Sequence, residues 1–531
     1  KELYLQRREF LRITGGVLAA SATGLAWGKK KKRPNIVFLL TDDQAWHLLG
    51  YNGNAQVKTP NFDKLAADGV IFDRHYDTTS ICMPSRATHM MGQYQYRHGC
   101  SFSRGSLESA KWNQSYPVLM RQAGYFTGFA GKFGYAVTDK PDKSGYHSNE
   151  KMPMDSFDVW HGWPGQGEYE TEENEHIAMY AEQYPHVSGA LGAASEDFID
   201  TAMEQDKPFC LSVSFKAPHS PRSPDSRYDH VYADTVWDER KNHGTKNAEH
   251  LPQQAKSGRQ YLQYKDFRGE RYQDTMRKYN QLVYGVDVAV KMIRDKLEAR
   301  GIADNTVIIF TTDNGYSCGA HGFGGKVLPY EEASRAPMVI LDPRHRNSGK
   351  GYRCQGVTGS VDIMPTIMDY AELEIPKSVD GISMRSMVEN PKHKLREALP
   401  IMNVWGIIPT HELGVVTERY KYINWFFAGE GMQAAEELYD LKEDTLEMHN
   451  LVDKPEMQKT LRQMQKYYDQ EVERWKKNCV QRNNYPEWAV LMDRHVSWDE
   501  KIRLIPKKEF KKYREALAKS KLSIKKSRKK K

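Results

Sequence analysis

The chain has 531 residues and a formal net charge of +8 at pH 7. This length exceeds what one ordinary hydrophobic core needs and suits a large domain with a smaller partner. The positive charge lies at the two ends, because residues 1–33 hold nine Lys and Arg against two Glu, and residues 501–531 hold fifteen against two. Residues 34–500 are therefore net acidic, which argues against nucleic-acid binding by the folded body.

The first 33 residues have the pattern of a bacterial twin-arginine export signal. Arg7 and Arg8 precede a mild apolar run, residues 13–27, which is rich in Gly and Ala and too short for an ordinary membrane span. An amphipathic basic helix is the alternative. We expect residues 1–33 to be an export signal and basic linker, so that the twin-arginine machinery delivers the protein to the periplasm or the extracellular space without a stable membrane span.

Short apolar runs alternate with helical patterns over residues 34–381. The strand-like runs cover residues 35–40, 125–130, 209–215, 306–312 and 338–341. A long pattern with apolar residues at helical spacing covers residues 272–299. Alternation of this kind predicts an α/β fold, in which helices cover both faces of a large, mainly parallel sheet.

Two of these strand-like runs are followed by oxygen-bearing pairs. Asp42 and Asp43 come just after the first run, and Asp313 and Asn314 come directly after the fourth. Ligands gather at the carboxyl ends of strands in an open α/β sheet, so we expect the two pairs to converge. Three carboxylates and one amide oxygen favour calcium or magnesium over zinc, and calcium more strongly because it tolerates irregular coordination. Either pair alone is more commonly a helix cap or a turn.

The segment from Cys82 to Arg86 (CMPSR) presents a thiol in an unusual setting. One interpretation is a small buried hydrophobe beside a proline turn, since free Cys is among the most buried residue types. The other is a modification signal, because the segment resembles the signature of the sulfatase family, a branch of the alkaline phosphatase superfamily. In that family the Cys is oxidised to formylglycine (3-oxoalanine), whose hydrated aldehyde is the nucleophile. The other five cysteines show no CxxC spacing, which argues against zinc.

The resemblance extends from about Pro34 to about Leu451. It implies an alkaline-phosphatase-like catalytic α/β domain over residues 34–381, followed by a smaller C-terminal α+β domain over residues 382–500. Over residues 382–500 the sequence pattern changes to short segments of alternating polarity and then to a helical pattern. Residues 501–531 carry many positive charges and few apolar residues, which favours a disordered basic tail.

When the family's roles are assigned to the matching motif positions, the resemblance implies one calcium ion and a set of catalytic residues. The implied calcium ligands are Asp42, Asp43, Asp313, Asn314 and the modified Cys82. Arg86 and Lys132 would position and polarise the modified residue. Lys326 and His219 would bind the sulfate together with Lys132 and help to protonate the departing alcohol. Asp313 is the candidate that accepts the proton of the diol, and a formylglycine-generating enzyme is the maturation partner that this chemistry requires.

One position departs from the family pattern. Relatives commonly carry a His two residues after the lysine that corresponds to Lys132, whereas this chain has Gly134. Glycine can neither take a proton nor hold the diol. Either another group such as His89 or His321 reaches the site, or the release of sulfate is slower, and the sequence leaves both open.

The pattern predicts hydrolysis of a sulfate ester on a glycan or a small molecule. Export favours a carbohydrate substrate, and the polar, weakly periodic segment 216–270 is a candidate substrate rim. The polar aromatic residues that could contact such a substrate are Trp160, His161, Trp405 and His411.

Two alternative functions remain open from the sequence. The first is a phosphonate monoester or phosphodiester hydrolase of the same superfamily, although those relatives tend to carry Gln and His where this chain has Asp43 and Asn314. The second is an exported sulfated-glycan-binding pseudoenzyme, which the glycine at position 134 motivates.

Overall fold

The computed structural model describes residues 32–102, 105–140 and 151–528. The export-signal prediction for residues 1–33 falls almost entirely outside these ranges. No helix within them combines the length and the apolar character that a bilayer crossing requires. The described residues from Pro34 onward form one compact unit.

Strands and helices alternate along the described residues. The strands are β1 Asn35–Thr41, β2 Val70–Phe72, β3 His75–Tyr76, β4 Leu107–Glu108, β5 Phe126–Lys132, β6 Val137–Thr138, β7 Val159–Trp163, β8 Phe209–Ser214, β9 Thr306–Thr312, β10 Val339–Leu341, β11 Tyr352–Cys354, β12 Thr358–Gly359, β13 Leu399–Asn403, β14 Glu412–Val416, β15 Tyr420–Trp425 and β16 Ala435–Asp440. The helices are α1 Pro60–Asp68, α2 Cys82–Met91, α3 Gln95–His98, α4 Ser109–Trp112, α5 Tyr116–Gln122, α6 Val187–Met203, α7 Gln253–Lys256, α8 Arg259–Gln263, α9 Glu270–Ala299, α10 Glu331–Ser334, α11 Ile363–Tyr370, α12 Arg385–Glu389, α13 Gln458–Asn478, α14 Tyr485–Met492, α15 Trp498–Leu504 and α16 Lys507–Arg528.

Eight strands form one mixed, mostly parallel sheet in the order β11-β2-β10-β9-β1-β8-β5-β7. Strands β9, β1, β8, β5 and β7 run parallel to one another, whereas β10 is antiparallel to both β9 and β2. The predicted α/β fold with a large, mainly parallel sheet is confirmed. The sequence patterns missed β7 because its residues, VWHGW, are only partly buried and lack a continuous apolar run.

Each face of the central strand β1 packs against a different layer of helices. Val37 and Leu39 belong to the core that contains residues of α6 and α9. Ile36, Phe38 and Leu40 belong to the core that contains residues of α2 and α11. A strand that is buried on both faces has a continuous apolar sequence, and for this reason the sequence predicted β1 correctly.

A four-stranded antiparallel sheet in the order β13-β14-β15-β16 forms a second, smaller layer. Its core includes residues of α13 and α14, and Trp425 and Trp475 are fully buried within it. All strands of the large sheet precede residue 381, and all strands of this sheet follow it. The domain boundary at residues 381 and 382 stays a prediction.

The expectation of a disordered tail over residues 501–531 is wrong for the part that the structure describes. Helix α15 ends at Leu504, and helix α16 begins at Lys507 and extends to Arg528. The rings of Phe510 and Tyr513 lie 6.1 and 5.9 Å from the ring of Phe427, and Tyr513 is 3% exposed. Residues three apart share one face of a helix, so these two aromatic residues dock the lysine-rich segment on the smaller sheet.

Candidate active site

The two oxygen-bearing pairs meet at the carboxyl edge of the large sheet. Strands β1 and β9 are parallel neighbours in which Thr41 pairs with Thr312, so the residues that follow them emerge side by side. The backbone N–H of Asp43 donates to Asp313 Oδ1 at 3.3 Å, and Asn314 Nδ2 donates to Asp43 Oδ1 at 2.6 Å. Asp42, Asp43, Asp313 and Asn314 are at most 1% exposed. The register of two strands therefore gathers four oxygen-bearing side chains in one buried place.

Cys82 is the first residue of helix α2, and its thiol faces this group. Its Sγ lies 3.4 Å from Asp42 Oδ1 and accepts a hydrogen bond from Lys326 Nζ at 2.6 Å. Burial raises the pKa of the Cys82 thiol to about 12, and the negative charge of Asp42 adds to the shift. Because the thiolate is the nucleophilic form of cysteine, burial disfavours nucleophilic attack by the unmodified side chain.

Arg86 lies one helical turn after Cys82 and ties the helix to the sheet. Its Nε donates to Asp313 Oδ2 at 2.8 Å, and its Nη1 donates to the carbonyl of Lys132 at 2.8 Å and to Ser214 Oγ. The side chain is 1% exposed. Burial lowers the pKa of Arg86, but the carboxylates of Asp313 and Asp42 outweigh burial and raise it.

Three further predicted residues reach the same place from separate loops and strand ends. Lys132 ends strand β5, and its Nζ donates to Asp42 Oδ2 and to Gln166 Oε1, the latter at 2.6 Å. His219 follows β8, and its Nε2 lies 3.9 Å from Asp43 Oδ2. Lys326 Nζ donates to Asp43 Oδ1 besides its contact with Cys82. All nine residues predicted from the sequence thus lie in one cluster.

The charges of this cluster act on one another strongly. Burial by itself raises the pKa of Asp42, but Lys132 and the neighbouring cations hold it well below its ordinary value. Burial raises the pKa of Asp313 to about 6, although Arg86 opposes the shift. Burial lowers the pKa of His219 to about 4, against the attraction of Asp42. The carboxylates of Asp42 and Asp313 thus differ in proton affinity although both are buried.

The cluster also offers ligand atoms suited to a metal ion. Asp42, Asp43, Cys82 and His219 present donor atoms that all lie within 4.8 Å of one another. Asn314 Oδ1 is buried and has no hydrogen-bond partner among the described residues. Carboxylate and carboxamide oxygens are the ligands that calcium and magnesium prefer. The oxygens of Asp42, Asp43 and Asn314 therefore suit a hard divalent cation, whereas the Cys82 thiol and the His219 imidazole beside them are softer donors.

The structure answers part of the question that Gly134 raised. Gly134 has φ +84°, and a Cβ there would lie 2.8 Å from Arg86 Cδ. His89 Nδ1 is bonded to the carbonyl of Ser85 at 2.9 Å, and His321 Nδ1 to the carbonyl of Asn247 at 3.0 Å. Neither ring lines the cavity that opens beside Cys82, and which group takes the part of the relatives' histidine stays a prediction.

A cavity of about 460 Å³ opens beside Cys82. Its walls include His219 and Lys326, together with Gln166, Arg259, Gln260, Gln263, Tyr316 and Trp405. Of the aromatic residues considered from the sequence, Trp405 lies on this cavity. Trp160 is partly buried and stacks on Phe129, with ring centroids 5.1 Å apart, and His411 lies against Trp488.

Sequence comparison decides the family. A sequence profile described as Sulfatase matches residues 34–373, which is more than half of the chain. The chain belongs to the sulfatase family. It is a sulfuric ester hydrolase, and a second profile, described as N-sulphoglucosamine sulphohydrolase, C-terminal, matches residues 319–474 of this sulfatase.

Relatives and solved structures cover most of this sulfatase. The N-acetylglucosamine-6-O-sulfatase of Bacteroides thetaiotaomicron is 25% identical over 518 residues, which cover 85% of this chain and 88% of the relative. The arylsulfatase of Clostridium perfringens is 27% identical over 474 residues, or 83% and 95% of the two chains. A protein solved with its substrate D-glucosamine-2-N,6-O-disulfate has TM-score 0.68 at 24% identity, over 84% of this chain and 99% of that chain. The phosphonate monoester hydrolase of Agrobacterium radiobacter has TM-score 0.68 at 23% identity, over 83% and 96%. These two structures share the fold.

Sequence analysis of this sulfatase missed Gln166 as a contact of Lys132. Gln166 lies in a turn between Gly165 and Gly167, which have φ of 63° and 64°. The Gly-Gln-Gly sequence signals a tight turn, because glycine adopts positive φ readily. No sequence pattern relates that turn to Lys132, however, since the contact arises only when β5 and β7 pair in the sheet.

Proposed function

We propose that this sulfatase hydrolyses a sulfate ester of a carbohydrate, using a formylglycine made from Cys82 and one bound calcium ion. The observation that carries the proposal is the position of Cys82. Its Sγ lies 3.4 Å from Asp42 Oδ1 and 2.6 Å from Lys326 Nζ, at one end of a cavity large enough for a sugar. A thiol that contacts both a carboxylate and an ammonium group is better explained as a precursor than as a packing residue.

The proposed calcium ligands are the oxygens at the ends of β1 and β9, from Asp42, Asp43, Asp313 and Asn314, together with the modified residue 82. The hydrated aldehyde would supply the attacking oxygen, and the cation would favour its ionised form. Calcium on the carboxylates would also balance their charge, which leaves the amines of Lys132 and Lys326 to attract the sulfate. The unpartnered Asn314 Oδ1 supports this ligand set.

The proposed catalytic residues divide between holding charge and moving protons. Lys132 and Lys326 provide fixed positive charge where the sulfate oxygens would lie, and such preorganised charge stabilises an anionic transition state. Arg86 fixes the position of Asp313 relative to the start of helix α2. Lys326 is proposed to protonate the leaving alcohol with the help of His219, which lines the cavity near Asp43 and is partly exposed to it.

A carbohydrate substrate is supported by the cavity walls and by the relatives. Carboxamides of Gln166, Gln260 and Gln263 can exchange hydrogen bonds with hydroxyl groups, and Trp405 offers an aromatic surface. The relatives named as sulfatases of N-acetylglucosamine point to the same substrate class. We also propose twin-arginine export to the periplasm or cell exterior, with conversion of Cys82 by a formylglycine-generating enzyme beforehand.

The test is to coexpress the protein with a formylglycine-generating enzyme and measure hydrolysis of 4-nitrophenyl sulfate and of a panel of sulfated sugars. We expect turnover in the wild type and none in Cys82→Ala, while Cys82→Ala still folds and binds calcium. An aryl phosphonate measured in parallel separates the alternative hydrolase, and turnover of the phosphonate above that of the sulfate would contradict the proposal. Binding of sulfated glycan without any turnover by the converted enzyme would favour the pseudoenzyme.

A further inference from the structure

Arg259 is a cation in the substrate cavity that the proposed chemistry does not use. It is the first residue of helix α8 and lines the same cavity as Cys82 and Lys326. Among the described residues its guanidinium makes no ion pair and no hydrogen bond, whereas Lys326 is paired with Asp43. The guanidinium carbon instead lies 4.4 Å from the ring centroid of Trp405.

Helix α8 holds Arg259 in a fixed relation to the catalytic lysine. The backbone N–H of Gly324 donates to the carbonyl of Gln260 at 2.9 Å. A Cβ at Gly324 would lie only 2.3 Å from the carbonyl oxygen of Gln263, so the helix rests directly on the glycine pair that precedes Lys326. The position of Arg259 is therefore set by backbone contacts and does not depend on its own side chain.

The backbone of Trp405 is held in place by a buried asparagine. Asn403, which is 1% exposed, accepts from the backbone N–H of Trp405 at 2.9 Å. Its Nδ2 donates to the carbonyls of Trp405 and Thr410 at 3.1 and 2.8 Å. An arginine that lies over an aromatic ring keeps the edge of its planar guanidinium available for an anion.

We propose that Arg259, stacked on Trp405, binds a second anionic group of the substrate, either a carboxylate or a second sulfate, while Lys326 faces the sulfate that is cleaved. This inference rests on the proposed function. A guanidinium edge matches both anions with paired hydrogen bonds. The substrate class is thus an acidic sulfated carbohydrate, and a neutral sugar with a single sulfate leaves Arg259 unused.

Kinetics with matched substrates test this assignment. Arg259→Gln removes the charge and keeps a polar side chain, and Arg268→Gln, at an exposed position of the same segment outside the cavity, is the control. The substrates are 4-nitrophenyl sulfate, glucosamine 6-sulfate, its N-sulfated form, and a sulfated disaccharide that carries a uronate. We expect Arg259→Gln to lower kcat/KM by about 10- to 100-fold for a substrate with the second anion, mainly through KM, and less than about 2-fold for the aryl sulfate.

The two anionic substrates distinguish a second sulfate from a carboxylate, because Arg259→Gln will lower kcat/KM more for the group that Arg259 binds. Binding to the Cys82→Ala protein with calcium, measured by calorimetry, gives the same comparison without turnover. Failure of the wild type to hydrolyse any sulfate ester would count against the proposed function, while the binding data would still judge Arg259. An equal loss of affinity for sugars with one and two anions, or no loss for any of them, would overturn the inference.

Discussion

Asn314 Nδ2 donates a hydrogen bond to Asp43 Oδ1 at 2.6 Å, although 271 residues separate the two. The contact exists because β1 and β9 are parallel neighbours with Thr41 paired to Thr312. The amide oxygen of Asn314 keeps no hydrogen-bond partner among the described residues. A single amide thus links the two halves of the proposed metal site and also offers it a ligand.

Replacing Asn314 with Ala should weaken calcium binding. The change removes one oxygen ligand and the hydrogen bond that orients Asp43, and losses of this kind commonly cost about 10- to 100-fold in metal affinity. Calorimetric titration of the metal-free protein measures the affinity. Asn390→Ala, at an exposed position, is the control and should bind calcium as the wild type does. Equal affinities in the two variants would exclude Asn314 from the metal site.

Replacing Arg86 with Met should destabilise the fold strongly. The change leaves the buried carboxylates of Asp313 and Asp42 without their guanidinium partner, which typically costs about 3–5 kcal/mol. Urea denaturation measures the free energy of unfolding. Arg385→Met breaks a partly exposed pair with Asp369 and should cost about 1 kcal/mol or less. If Arg86→Met lowers the free energy of unfolding by as little as Arg385→Met is expected to, the buried pairs contribute little to stability.

Gly134 should not tolerate a side chain, because of its contact with Arg86. Gly134 and Gly53 have φ of +84° and +89°, but a Cβ at Gly53 would meet nothing within 4 Å. Both Ala variants pay the left-handed backbone cost of roughly 1–2 kcal/mol, and Gly134→Ala adds a clash with Arg86 Cδ. We expect unfolding free energy to fall further in Gly134→Ala, and turnover to fall with it. If the two variants lose equal stability, the contact with Arg86 is not a constraint.

The stability of the smaller sheet region should decrease as pH rises from about 4.5 to about 7. Burial raises the pKa of Glu471 to about 7, although Arg474 and the hydroxyl of Tyr96 oppose the shift. Between the ordinary pKa and this value the folded protein keeps a proton that the unfolded chain has lost, so unfolding becomes easier by at most about 3 kcal/mol. Glu471→Gln should show a smaller loss than the wild type when unfolding is measured at pH 5 and pH 8. Glu473→Gln, whose side chain is 70% exposed, should keep the wild-type dependence.

The central strands and the convergence of the oxygen ligands followed from the sequence because both have local causes. Strands β1 and β9 are buried on both faces and read as apolar runs, and Asp42 and Asp313 directly follow the residues that end them. Parallel pairing then determines where those side chains meet.

Other parts of the site depend on contacts between distant segments, which no local sequence pattern predicts. Helix α8 lies in the weakly periodic segment 216–270, and its packing on Gly324 determines where Arg259 lies. In the C-terminal tail, the composition is dominated by lysines, but two aromatic residues, Phe510 and Tyr513, pack on Phe427 from a helix. Charge composition predicts solvation, whereas the apolar face of a helix depends on the spacing of a few residues.

The most direct test of the proposed mechanism compares the modification of residue 82 with the rate of sulfate release in the same samples. Protein is prepared with increasing amounts of formylglycine-generating enzyme, and the converted fraction of the Cys82 peptide is measured by mass spectrometry beside hydrolysis of 4-nitrophenyl sulfate in calcium. The account predicts that turnover rises in proportion to the converted fraction and is lost in Cys82→Ala. Turnover that is independent of conversion, or that persists in Cys82→Ala, would contradict it.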